Sequence, residues 1–175
     1  MQKNLDYYIL LFFSMAFAGW LWEVALYFVL EHTFINRGVY KGPYLPIYGF
    51  GALLLYILLR KYRKKRMSSF LLSAMICTIL EYVSSWYLEW NWGFRWWDYS
   101  ERLWNINGRV CPLAALGFGI GGMVLNCHVF EGLEKIYGRI PLKCRMWCCG
   151  ILLTIFILDA TYCTISPNVG YGIAG

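Results

Sequence analysis

Asn36–Gly51 reads "NRGVYKGPYLPIYGFG". Asn, Arg and Lys, interleaved with Gly and Pro, pass with hardly a spacer into apolar sequence. Behind the stretch, Leu5–Leu30 is a long apolar run, and ahead the chain is apolar again over Pro46–Leu59. A run of about 20 mostly apolar residues is long enough to cross a bilayer as a helix. The stretch therefore joins two membrane helices, and its residues are not those of a slack loop. Gly38, Gly42, Gly49 and Gly51 allow backbone bends or close helix contact. Pro43 and Pro46 end extended structure and start a helix. We read it as a folded re-entry element, a lip over an ionic site within the membrane.

Composition agrees. Of 175 residues, 59% are hydrophobic and only 15% charged, where soluble domains carry about 25%. Trp and Tyr gather at membrane–water interfaces, and this chain has nine Trp and 14 Tyr. The expected class is all-α, a polytopic membrane protein of about five transmembrane helices. The spans are Leu5–Leu30, Pro46–Leu59, Ser68–Trp90, Pro112–Phe130 and Met146–Ile165. The second is short, which is tolerated where it lines protein or a cavity. Lys3, the apolar run and "AFA" at Ala16–Ala18 also resemble a cleavable leader, but the run continues past the cut. Cys77, Cys111, Cys127, Cys144, Cys148, Cys149 and Cys163 form no CxxC and no metal-ligand spacing.

Charge sets the expected orientation. Arg60, Lys61, Arg63, Lys64, Lys65 and Arg66 crowd one loop, and Lys135, Arg139, Lys143 and Arg145 another. Short basic loops stay cytoplasmic. The N-terminus, with Lys3, is then inside. The lip, the Asn91–Cys111 loop and the C-terminus face outward. The six-charge run reads as a topology determinant on anionic lipid, not as a nucleic-acid site.

The chain also carries an internal echo. Glu23–Arg37, "EVALYFVLEHTFINR", aligns with Glu81–Arg95, "EYVSSWYLEWNWGFR". Glu23 meets Glu81, Leu30-Glu31 meets Leu88-Glu89, Phe34 meets Trp92 and Arg37 meets Arg95. "YGFG" (Tyr48–Gly51) returns as "LGFG" (Leu116–Gly119). The expectation is one transmembrane domain of two parallel helical hairpins, about 5–60 and 68–132, plus a fifth helix at about 146–165.

Glu23 and Glu81 lie inside apolar spans, where a carboxylate is costly and pairs or faces a cavity. Cys77, Thr78, Ser84 and Ser85 share a helix face with Glu81. If the two glutamates approach each other, one holds a proton or a cation sits between them. Arg37 or Arg109, a substrate amine or a metal ion could be that cation. The plainer reading is that both glutamates pair with loop arginines and lock the helices. For Asp159, capping of a neighbouring element is the favoured reading.

Arg95–Arg109, "RWWDYSERLWNINGR", sets arginines and asparagines beside aromatic faces, a pattern that binds carboxylates, phosphates or sugars. Trp90, Trp92 and Trp104 read as an aromatic belt. Arg37, Arg95, Asp98 and Arg109 read as an ordered ion-pair network that gates the site or contacts substrate. Gly117-x-x-x-Gly121, beside Gly119 and Gly122, reads as a packing face. His128 and Glu131 read as an interfacial cap. No catalytic set, nucleotide loop, cofactor motif or metal motif is present.

The strings "GWLWEVALYF", "FINRGVYKGPYLPIYGFG", "EYVSSWYLEW", "RWWDYS" and "NINGRVCP" resemble the bacterial membrane family labelled "putative ABC-transporter type IV permease". The resemblance covers most of Gly19–Gly122. It implies a multi-pass cell-membrane permease that works with an ATPase supplied in trans. Five spans are few for a whole permease, so a homo-oligomer, in contact with membrane lipids, is expected. The basic segment Glu131–Arg145 is the expected docking point. An enzyme acting on outer-leaflet lipid or cell-wall precursor, and a non-catalytic partner or sensor, are the alternatives.

Overall fold

The computed structural model describes residues 4–169; Lys3, used above for orientation, lies outside them. Among the described residues the regular elements are all helical. They are α1 (Leu5–Glu31), α2 (Pro46–Leu58), a short 3₁₀ turn (Arg60–Tyr62), α3 (Arg66–Trp92), α4 (Pro112–Val124), α5 (Phe130–Arg139) and α6 (Leu142–Ile165). One π turn, Leu125–Val129, joins α4 to α5 without a break in the helix. Four helices are long and apolar enough to cross a membrane: α1, α3, α6 and the continuous Pro112–Arg139. Pro46–Leu58 is the shorter apolar helix. The expected all-α architecture of five helices holds.

Two boundaries differ from expectation. The fourth helix does not stop at Phe130 but runs to Arg139, and the fifth begins at Leu142. The supposed Glu131–Met146 loop is therefore almost wholly helical. Its polar residues recur at helical spacing, so charge alone does not end the helix. Ile140-Pro141 does, because a residue before Pro is pushed out of the α region.

The chain forms two compact units. The first takes the described parts of Met1–Phe50 and Glu134–Tyr171, the second Gly51–Leu133. In the first, α1 and α6 run side by side in the same direction. Asp6 pairs with Arg145 at one end (3.0 Å), Phe12 and Phe13 meet Phe156 further along, and Asp159 meets the lip at the other end. In the second, α3 and α4 are antiparallel. Ser69 lies against Asn126, and Ser73 against Gly122 one turn further along both helices.

The α3–α4 contact depends on glycine, but not on the expected pair. A Cβ at Gly122 would lie 2.3 Å from Ser73 Cβ, and one at Gly119 2.6 Å from Phe70. At Gly117 and Gly121 it would meet nothing within 4 Å. The packing face is thus Gly119/Gly122, one helical step from the sequence motif. On α3, burial runs opposite to that of a water-soluble helix. Ser69, Ser73, Glu81 and Ser85 are buried, while Leu71, Met75, Ile79, Val83, Trp86 and Trp90 are exposed. Lipid explains this, since apolar side chains lose nothing by facing hydrocarbon while polar ones must turn inward.

Candidate ionic sites of the outer loops

In the first unit, α1 carries Glu23 eight residues before its end, about 12 Å along the axis at the usual rise. Arg37 reaches it from the lip, Nε to Oε2 3.4 Å, and lays its guanidinium 4.2 Å from the Tyr27 ring centroid. Tyr48, in the first turn of α2, donates to Glu23 Oε1 at 2.8 Å. Gly19 makes this reach feasible. A Cβ there would sit 2.2 Å from Tyr48 Cγ, so the ring lies along bare helix backbone one turn below Glu23. Gly49 performs the same service where α2 crosses α1, since its Cβ would meet the Phe12 carbonyl oxygen at 2.8 Å.

The lip dives deep beside α1. Leu45 N–H donates to the carbonyl of Ala16, in the middle of α1. Non-helical backbone at such depth must have its polar groups satisfied by protein. Asp159 of α6 does much of this, accepting from Lys41 N–H, Gly42 N–H and the Tyr44 hydroxyl. Asn168 donates its side-chain amide to the Asn36 and Gly38 carbonyls and its backbone N–H to Val39. Trp20 Nε1 donates to Asn36 Oδ1 at 2.7 Å. Gly38 takes φ +95°, in the region that favours glycine.

These bonds make Asp159 the anchor of the lip. Asp159→Ala removes the shared acceptor of three donors. Trypsin is expected to cut after Arg37 or Lys41 at least several-fold faster than in the parent chain, because local opening exposes cleavable backbone. An unchanged digestion rate would refute the anchoring role.

In the second unit, Glu81 accepts from the Tyr99 hydroxyl at 3.0 Å. Arg95 and Arg109 converge on Glu89, two turns along α3 from Glu81. Arg95 Nε lies 3.0 Å from Oε1, and Arg109 binds Oε2. Arg109 also donates to Ser85 Oγ at 3.1 Å and lies 5.8 Å from the Tyr82 ring centroid. Asp98 accepts from Ser100 N–H and Oγ, which holds its carboxyl below the usual range. Gly108, at φ +68°, leaves no room for a side chain beside Asp98, Ser100 and Arg95. Tyr99 N–H to the Gly108 carbonyl (2.7 Å) and Ile106 N–H to that of Val110 (2.9 Å) close the loop on itself.

Of the expected site residues, Glu23 and Arg37 come together in one cluster. Arg95 and Arg109 come together in another, through Glu89, and Asp98 stands beside Arg95 at the Gly108 turn. Glu89 itself, Tyr48, Tyr99 and Asn126 were not singled out by sequence. Glu89 carried a signal, its place in the internal echo. Asn126, buried within the π turn, carried none.

Apolar helices with exposed hydrocarbon-compatible faces, buried carboxylates and loops folded onto them define a polytopic helical membrane protein. The chain belongs to the family described as "Putative ABC-transporter type IV", whose model matches residues 10–164. No curated protein and no solved structure matches the chain.

Proposed function

We propose that this chain is the membrane-embedded component of an ABC-type transporter in a bacterial cell membrane, with two outward-facing ionic sites that gate or contact substrate. The observation that carries this is the Glu23–Arg37–Tyr48 cluster, a charged pair held by a re-entrant lip on a helix whose other faces are apolar. Intramembrane ionisable residues with built surroundings mark substrate or ion pathways. The second site is Glu81 with Tyr99, roofed by Arg95, Arg109 and Asp98. The N-terminus and the basic turns lie on the cytoplasmic side, and the C-terminus outside.

The internal echo supports a duplicated origin for the sites. Both long helices end in a left-handed cap, His32 and Gly93. Both are followed by a non-helical segment and then a helix opened by proline, Pro46 and Pro112. Arg109 is the better counterpart of Arg37. Arg37 lies over Tyr27, four residues beyond Glu23, and Arg109 donates to Ser85, four residues beyond Glu81.

Energy comes from an ATPase in trans, docked on the cytoplasmic end of α5, where Lys135 and Arg139 are presented on a helix. The chain works as an oligomer in contact with lipid. Mild detergent extraction from native membranes, affinity capture and mass spectrometry test this. A stoichiometric ATPase is expected in the parent chain, and it is expected to be lost from the Lys135→Glu, Arg139→Glu double variant. Its reproducible absence with the parent chain intact would overturn the reading.

A further inference from the structure

In the first unit α1 and α6 both begin at the end where Asp6 pairs with Arg145. Cys149 Sγ donates to the Asp6 carbonyl there at 3.5 Å, and both residues are buried. Beside this contact the two helices leave an open groove of about 500 Å³. Leu5 and Ile9 line it from α1, and Leu142, Met146 and Leu153 from α6. Gly150, also in the lining, keeps it open, since a Cβ there would meet nothing within 4 Å.

Length, width and charge decide what fits. The lining runs along α6 from Leu142 to Leu153, about 16 Å at the usual rise. One leaflet of a hydrocarbon core about 30 Å thick is about 15 Å deep. A volume of about 500 Å³ spread over about 16 Å leaves a cross-section of about 30 Å². A helix about 10 Å across needs about 80 Å², so none enters. A hydrocarbon chain, one carbon wide, is about 4–5 Å across at van der Waals contact and does enter. At the mouth Arg145 neutralises Asp6 (3.0 Å) and donates to the Tyr137 carbonyl (3.3 Å). Lys143 is left exposed, with no ion pair among the described residues. It stands two turns before Gly150 on the same side of α6, at the edge of the groove.

We propose that this groove binds one acyl chain of an anionic phospholipid, whose headgroup phosphate is held by Lys143. The lipid belongs to the leaflet at the helix starts, cytoplasmic in the orientation proposed above. The proposal stands whether or not an ATPase drives the chain. Lipid tails are as apolar as Leu, so no hydrophobic gain separates the groove from the bilayer. The affinity comes from two other sources. A chain in the groove is packed on two sides by fixed helices, which supplies contacts that an empty groove lacks. The phosphate meets a cation at the membrane surface, and basic pockets between membrane helices hold lipid headgroups in this way. Because Arg145 already covers Asp6, no free carboxylate opposes the phosphate.

Native mass spectrometry of the full chain, stripped of lipid in mild detergent and titrated with dioleoyl phosphatidylglycerol, tests this. The parent chain is expected to hold one such lipid. It should prefer it to dioleoyl phosphatidylcholine, a neutral lipid with the same chains, by about fivefold, the contribution of one cation near an anionic headgroup. Lys143→Gln should remove that preference and keep the weaker binding. Gly150→Leu fills the groove without meeting a neighbour and is the better helix former, so the fold is kept. It should lose the adduct for both lipids. Glycerol phosphate, a headgroup without chains, should not compete at equal concentration. Phosphatidylglycerol bound as tightly by Gly150→Leu as by the parent would overturn the site. Equal binding of the two lipids by the parent, or full competition by glycerol phosphate, would overturn it as an anionic-phospholipid site. A parent dimer that falls apart in Gly150→Leu would place a second copy in the groove and overturn the proposal too.

Discussion

Arg37→Ala is expected to lower the unfolding midpoint of the detergent-solubilised protein by roughly 6 °C or more, read from intrinsic Trp fluorescence on heating. Arg37 is only 7% exposed and its partner Glu23 24%. Removing one member of a buried pair strands the other charge, at a cost of about 3 kcal/mol or more. The partial exposure of Glu23 argues for the low end of that range. The cation–π contact over Tyr27 is lost as well. Glu23→Gln keeps an acceptor for Tyr48 but takes the negative charge away from the more buried Arg37, so a loss of similar size is expected. The double variant Arg37→Met, Glu23→Met should recover much of the loss, since no charge is then left unpaired. A change below about 2 °C for Arg37→Ala would correspond to an exposed pair worth under 1 kcal/mol and would sink the claim that the pair is buried and structural.

Gly122→Ala and Gly121→Ala should separate by about 3 kcal/mol although they are neighbours in one helix. At Gly122 the new methyl would meet Ser73 Cβ at 2.3 Å, Ser73 Oγ at 2.5 Å and Leu55 at 3.0 Å. Ser73 belongs to a helix and cannot swing away, so α3 and α4 must part. Overpacking of this kind costs about 1–3 kcal/mol. At Gly121 the methyl meets nothing within 4 Å, and Ala is a better helix former than Gly by up to about 1 kcal/mol. Thermal midpoints of the two variants in one detergent would decide it. Equal midpoints would contradict the close α3–α4 crossing at Gly122 and Ser73.

Much of the fold was legible in the sequence. Hydrophobic length and composition place all five helices, because a bilayer demands long apolar runs whatever their partners. Proline at Pro46 and Pro112 marks helix starts, since its missing N–H costs nothing there. The intramembrane Glu23 and the lip arginine Arg37 stand out because charge in apolar surroundings is expensive. The continuation of the fourth helix to Arg139 was not legible, because a charged amphipathic turn and a basic loop have the same composition.

Only the tertiary structure decided which groups meet. The sequence offers three arginines and two intramembrane glutamates at comparable spacing, and nothing local says that Arg37 goes to Glu23 while Arg95 and Arg109 share Glu89. That choice depends on how far the lip and the outer loop can descend. Bare backbone at Gly19 and Gly49 and the carboxylate of Asp159 set the first limit. The Tyr99–Gly108 closure sets the second. The packing glycines follow the same rule. Gly117 and Gly121 make the better motif, but the antiparallel packing of α3 and α4 brings Gly119 and Gly122 into contact. Composition determined the solvent, and the hydrophobic periods determined the helices. The pairing of polar groups inside was decided by geometry, because in hydrocarbon each must find a partner among whatever the packing brings near.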